Sequence, residues 1–115
     1  MRLLLPLLLA APIGLIADAV TLVDGTFLRG RIERIADGQL ELRVQGWGGR
    51  APLEIPLTRV ESFRTDDAVR LTGRQGAVLD GVAWAVGGRV ASAGGAETFA
   101  LDATLELWRE PGARP

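Results

Sequence analysis

No cysteine, histidine, tyrosine, lysine or asparagine occurs in this sequence of 115 residues. Each gap removes a class of chemistry. Without cysteine there is no disulfide framework and no thiol nucleophile, so cysteine usage argues neither for nor against export. Without histidine the commonest general base is gone, and with cysteine absent too the soft metal ligands are missing. Only two serines remain, Ser62 and Ser92, and neither lies in a G-x-S-x-G setting. No tyrosine and only three phenylalanines leave little to line the aromatic groove of a proline-rich peptide reader. All 13 basic residues are arginine, set against 14 acidic ones for a formal charge of −1. That balance gives no strong field toward nucleic acid or anionic lipid. The all-arginine palette fits a GC-rich bacterial genome. The expectation is a protein that is not an enzyme and holds no cofactor or metal.

What is present begins with "MRLLLPLLLAAPIGLIADA". Arg2 supplies one positive charge, an apolar run follows from Leu3 to Ala17, and Ala17-Asp18-Ala19 is an A-x-A pattern. These are the three parts of a secretory signal peptide. The run is shorter than the about 20 residues that span a bilayer, and Pro6 and Pro12 interrupt it. Residues 1–19 are therefore read as a cleaved leader, with no membrane span afterwards and a periplasmic or secreted product. Cleavage after Ala19 fits A-x-A best, whereas cleavage after Ala17 leaves a polar start before the first strand. No cysteine follows to carry a lipid, and no twin arginine precedes the run.

Beyond the leader the pattern has period two. Val20 and Leu22 alternate with Thr21, and Asp24-Gly25 marks a hairpin. The next strand places Leu28, Gly30 and Ile32 on one face and Arg29, Arg31 and Glu33 on the other. Gly30 inside it signals a bend or a close backbone approach. Ala36-Asp37-Gly38 turns into Gln39–Gln45, where Leu40, Leu42 and Val44 point inward. Leu53 and Ile55 form a short strand that Pro56 ends. Leu57-Thr58-Arg59 has room for one tight helical turn before extension resumes through Phe63. Four strands, a 3₁₀ turn and a fifth strand outline an SH3-like or Sm-like barrel over residues 20–65, whose closure hides most sheet edges.

The outline recurs over residues 69–109. Val69 and Leu71 match Val20 and Leu22, with two extra residues in the first turn, and Gly81 matches Gly30. Gly87-Gly88 stands for Asp37-Gly38, Phe99-Ala100-Leu101 for Ile55-Pro56-Leu57, and Thr104–Trp108 for the closing strand. The prediction is an all-β protein with two tandem five-strand barrels after the leader, the second one degenerate. Around Gly81 the inward phase is open between Val82, Trp84, Val86 and Ala83, Ala85. The segment "AVTLVDGTFLRGRI…LELRVQ…LEIPLTRVESFRTDD" resembles the small exported β-domain of bacteria that often precedes salt-induced outer-membrane barrels of unknown function. The likeness runs from about Ala19 to Asp67 with an echo beyond. It implies an Sm-like barrel in outline and no active site.

Trp47, between glycines at a hairpin tip, and Arg50 beside it are the candidate binding residues, because loop tips on rigid barrels carry contacts and Trp and Arg are hot-spot types. The alternative is that Trp47 folds back onto a barrel. Trp84 and Trp108 are expected to fill core or inter-barrel space. Arg29, Arg31, Arg34 and Arg43, interleaved with Glu33 and Glu41, read as a mixed solvated face, and Asp66-Asp67 as an acidic linker rather than a calcium loop. The function expected is a non-catalytic periplasmic interaction or structural module whose partner is another envelope protein, with no nucleic acid bound. The alternative is a cell-wall glycan-binding accessory domain using exposed Trp.

Overall fold

The computed structural model describes residues 17–44, 46, 51–73, 78–95 and 97–109. Trp47 and Arg50 lie outside the described residues, as does most of the leader.

The expected strands form in the expected order. The chain runs β1 (Asp18–Leu22), β2 (Phe27–Ala36), β3 (Gln39–Val44), β4 (Leu53–Pro56), a 3₁₀ turn (Leu57–Arg59) and β5 (Val60–Arg64). It continues through β6 (Val69–Thr72), β7 (Val78–Gly81), β8 (Ala83–Val86), β9 (Arg89–Ser92), β10 (Phe99–Ala100) and β11 (Glu106–Trp108). All pairings are antiparallel, in one curled sheet, and the described residues contain no α-helix. β1 begins at Asp18, within the segment read as leader.

Local chemistry sets the hairpins. At the β1–β2 turn the Asp24 carboxylate accepts the Thr26 N–H at 2.9 Å, and Gly25 takes φ 93°. At the β2–β3 turn Asp37 and Gly38 take φ 54° and 78°, the left-handed pair a two-residue hairpin needs. A Cβ on Gly30 would sit 2.2 Å from the Arg43 carbonyl oxygen, so Gly30 does mark a close backbone approach. Register shifts mark two bulges, at Glu33 in β2 and at Glu61 in β5. The second explains why Val60 and Phe63, three apart, are both buried.

In the first half the neighbour order is β4-β3-β2-β1-β5. In the second half β10-β9-β8 and β7-β6-β11 are paired runs, and β7 and β8 are two arms of one strand broken at Val82. The register of the second half differs from the sequence reading. Leu71 lies opposite Leu79 and Leu107, as Val20 lies opposite Leu28 and Phe63. Leu71 and Leu79 are eight residues apart across their hairpin, as Val20 and Leu28 are across theirs. A register two residues removed from the one the triplets "VTL" and "VRL" suggest preserves the inward phase.

The open phase resolves in favour of alanine. Ala83 and Ala85 are fully buried, while Trp84 and Val86 face outward at 40% and 66% exposure. Small residues fit there because β5 of the first half pairs with β8, setting Phe63 opposite Ala85 and Arg64 opposite Trp84. Thr65 locks this seam: its hydroxyl accepts the Ala83 N–H at 2.9 Å and donates to the Asp67 carbonyl at 2.9 Å. A second seam joins β11 to the far end of β2, with Leu107 opposite Ile35 and Trp108 opposite Arg34. Trp108 is buried under the Arg34 guanidinium, 5.8 Å from its ring centre. Most of the buried apolar side chains form one cluster that draws on both halves, from Val20, Ile32, Leu40 and Phe63 to Leu71, Val90 and Leu107. Full burial of such a side chain contributes roughly 1.5–3 kcal/mol.

Candidate functional site

Where β1, the bend of β2, the end of β3 and the segment after β5 meet, the surface opens into a cleft of about 370 Å³. Asp18 and Arg109 lie at its base, Arg31 and Arg43 on one wall, and Asp66 and Asp67 on the other. Asp18 is the first residue of β1 and shares the inward phase of Val20 and Leu22, so the strand itself carries a carboxylate inside. Its side chain accepts three hydrogen bonds. One oxygen accepts the Ile32 N–H at 2.7 Å and the Arg109 guanidinium, and the other accepts the Asp66 N–H at 2.9 Å. Arg109, just past β11, also donates through Nε to the Ile32 carbonyl at 2.9 Å. The Asp18 and Arg109 side chains are 3% and 9% exposed. Arg109 Nη1 is buried without a hydrogen-bond partner among the described residues. The Ala17 N–H donates to the Asp66 carboxylate.

The walls are more open. Arg31 and Arg43 are register partners across β2 and β3, and Glu33 lies between their guanidinium groups at 3.7 and 3.4 Å. Arg34 pairs with Glu41 at 3.1 Å. The arginines of strands β2 and β3 therefore sit on a mixed-charge face, and salt bridges of this exposed kind contribute at most about 1 kcal/mol each. Among the described residues, no group of three or more His, Cys, Asp or Glu is placed to hold a metal ion.

A second feature lies on an outward sheet face. Trp84 and Val86 are two apart on β8 and so share its outward face. Trp84 is flanked across the sheet by Arg64 and Ala91, and Val86 by Arg89. Of the three tryptophans, Trp108 fills the seam as expected, and Trp84 is on the surface rather than inside. Sequence reasoning missed the Asp18–Arg109 pair altogether. The signal for Asp18 was available, an acid in phase with two buried apolar residues, but the A-x-A pattern absorbed it. Arg109 carries no such local sign.

The chain matches no protein-family model, no curated protein and no solved structure.

Proposed function

We propose that this protein is a non-catalytic interaction module of the bacterial periplasm, exported by a cleaved leader and docking on another envelope protein. The observation that carries the reading is the exposed Trp84–Val86 strip between Arg64 and Arg89. A large aromatic with flanking arginines, held on a strand rather than on a mobile loop, has the composition of a binding hot spot. Trp47 and Arg50 are a second contact in this proposal. The two halves are tandem copies of one SH3-like five-strand unit, the resemblance to exported Sm-like β-domains covering the first. Two features support the duplication. Each half closes its fourth strand the same way, Leu57 N–H to the Gly38 carbonyl and Leu101 N–H to the Gly88 carbonyl, both at 2.9 Å. Each half also lends its fifth strand to the other half's second strand.

The test is affinity capture from envelope extract with the wild-type chain and with Trp84→Ala, the captured protein being identified by mass spectrometry. The stability of Trp84→Ala should change by no more than about 0.5 kcal/mol, as is usual for a surface site. Its affinity for the captured protein should fall by about 2 kcal/mol or more, roughly 30-fold. Equal capture by both chains would sink the reading. The exposed indole also suits stacking on a sugar ring, which favours a cell-wall glycan as the alternative ligand. Co-sedimentation with purified peptidoglycan that is lost in Trp84→Ala would decide for it.

A further inference from the structure

We propose that the leader is removed between Ala17 and Asp18, so that Asp18 is the first residue of the mature protein. The proposal rests on the export reading above and adds the bond that is cut. In the reaction water adds across the Ala17–Asp18 peptide bond, leaving a carboxylate on Ala17 and an ammonium on Asp18. The catalyst is a leader peptidase of the envelope.

The two candidate bonds differ in what they cost the folded domain. Cutting after Ala19 removes the Asp18 carboxylate. The Ile32 and Asp66 N–H groups then lose their acceptor, and Arg109, with only 9% of its side chain exposed, loses its counter-charge. The same cut takes two of the five residues of β1 and their pairs with Gly30, Arg29 and Arg64. A buried guanidinium left alone is among the more destabilising lesions known in folded chains. Cutting after Ala17 removes, from the described residues, only Ala17. The Ala17 N–H is donated to the exposed Asp66 carboxylate. The new ammonium of Asp18 forms one residue away from that carboxylate, so the cut exchanges a neutral donor for a charged one beside an acid. On the protease side, Ala17 provides the small residue immediately before the cut, while Leu15 stands where A-x-A has its first alanine. A-x-A matching alone prefers Ala19. The folded domain needs Asp18, and only the earlier bond keeps it.

Two measurements test this. The first is the intact mass of the protein recovered from the periplasm of a bacterium producing the full chain. A mass beginning at Asp18 is expected. A mass beginning at Val20 overturns the proposal while leaving export intact, and an unprocessed chain overturns both. The second compares purified chains beginning at Asp18 and at Val20 by thermal melting. The chain from Val20 should melt at least ~10 °C lower, given a lost buried ion pair in a chain of this size. Equal midpoints overturn the physical basis of the choice whatever the mass shows.

Discussion

At the scale of the residue, the Asp18–Arg109 pair joins the first strand to the last across 91 positions of chain. Such a pair gives little net stability compared with two apolar residues, yet losing one partner is expensive. Arg109→Ala should therefore destabilise by about 3–5 kcal/mol in urea unfolding, because Asp18 stays buried with its charge uncompensated. The double variant Asp18→Ala/Arg109→Ala should lose clearly less than the sum of the two singles. Additive losses would show that the two groups act independently. A milder pair links Arg70 and Asp80 across β6 and β7, at 2.9 Å on an exposed surface. The Arg70 hydrogen bond holds the Asp80 carboxyl below its ordinary value. A carboxyl depressed in the folded state stabilises above its unfolded pKa, ~3.9, and that contribution fades as pH falls through the lower, folded value. Asp80→Asn should thus weaken the protein at neutral pH and leave the gap to wild type smaller at pH 2–3, read from melts across that range. Of these four residues none was legible as a partner of another. Pairing between strands depends on register, which a two-residue slip changes without disturbing any pattern.

At the scale of the element, hairpins were legible and seams were not. Asp24-Gly25, Asp37-Gly38 and Gly87-Gly88 each announce their turns because positive φ restricts the choice of residue. The Pro56 stop and the 3₁₀ turn after it were likewise written locally. The β5–β8 and β2–β11 seams join segments distant in sequence, and they carry no mark beyond an unexplained run of small residues at Ala83 and Ala85. The candidate site shares this fate: the wall from β2 and β3 was legible, and the base, formed by the first residue of β1 and the residue after β11, was not. Gly30 offers a test of the hairpin geometry itself. An added methyl would press on the Arg43 carbonyl at 2.2 Å, and backbone on a paired neighbouring strand yields little. Gly30→Ala should cost about 1–3 kcal/mol by chemical denaturation, the range for overpacking. The contrasting site is Gly25, whose Cβ would meet nothing, so its cost would come from φ 93° alone. If Gly30→Ala is neutral, β2 and β3 can part at this bend.

At the scale of the whole molecule, the question is whether the first half stands alone. Sequence reasoning expects residues 20–65 to fold as a barrel, since both Asp-Gly turns and every alternating strand lie inside them. The structure adds two facts that bear on this. The second half covers the free edge of β5 and the far end of β2, and the buried cluster runs through both halves without a break. Cut at the linker, the first half would expose Phe63 and Ile35 beside two unpaired strand edges. Those edges are the same kind that the second half presents in return, since each half gives its fifth strand to the other's second. A lone first half can therefore satisfy itself by pairing β5 with β2 of another copy, in a two-fold dimer that reproduces both seams. A chain of residues 17–65 should then melt cooperatively with a midpoint that rises with concentration, and sediment as a dimer at the upper end of that range. A lysine placed at Phe63 should leave it unfolded at any concentration, because that position is buried on the seam-forming strand. A folded monomer with a concentration-independent melt would instead show that each half closes its own barrel, and that the seams only dock two finished units.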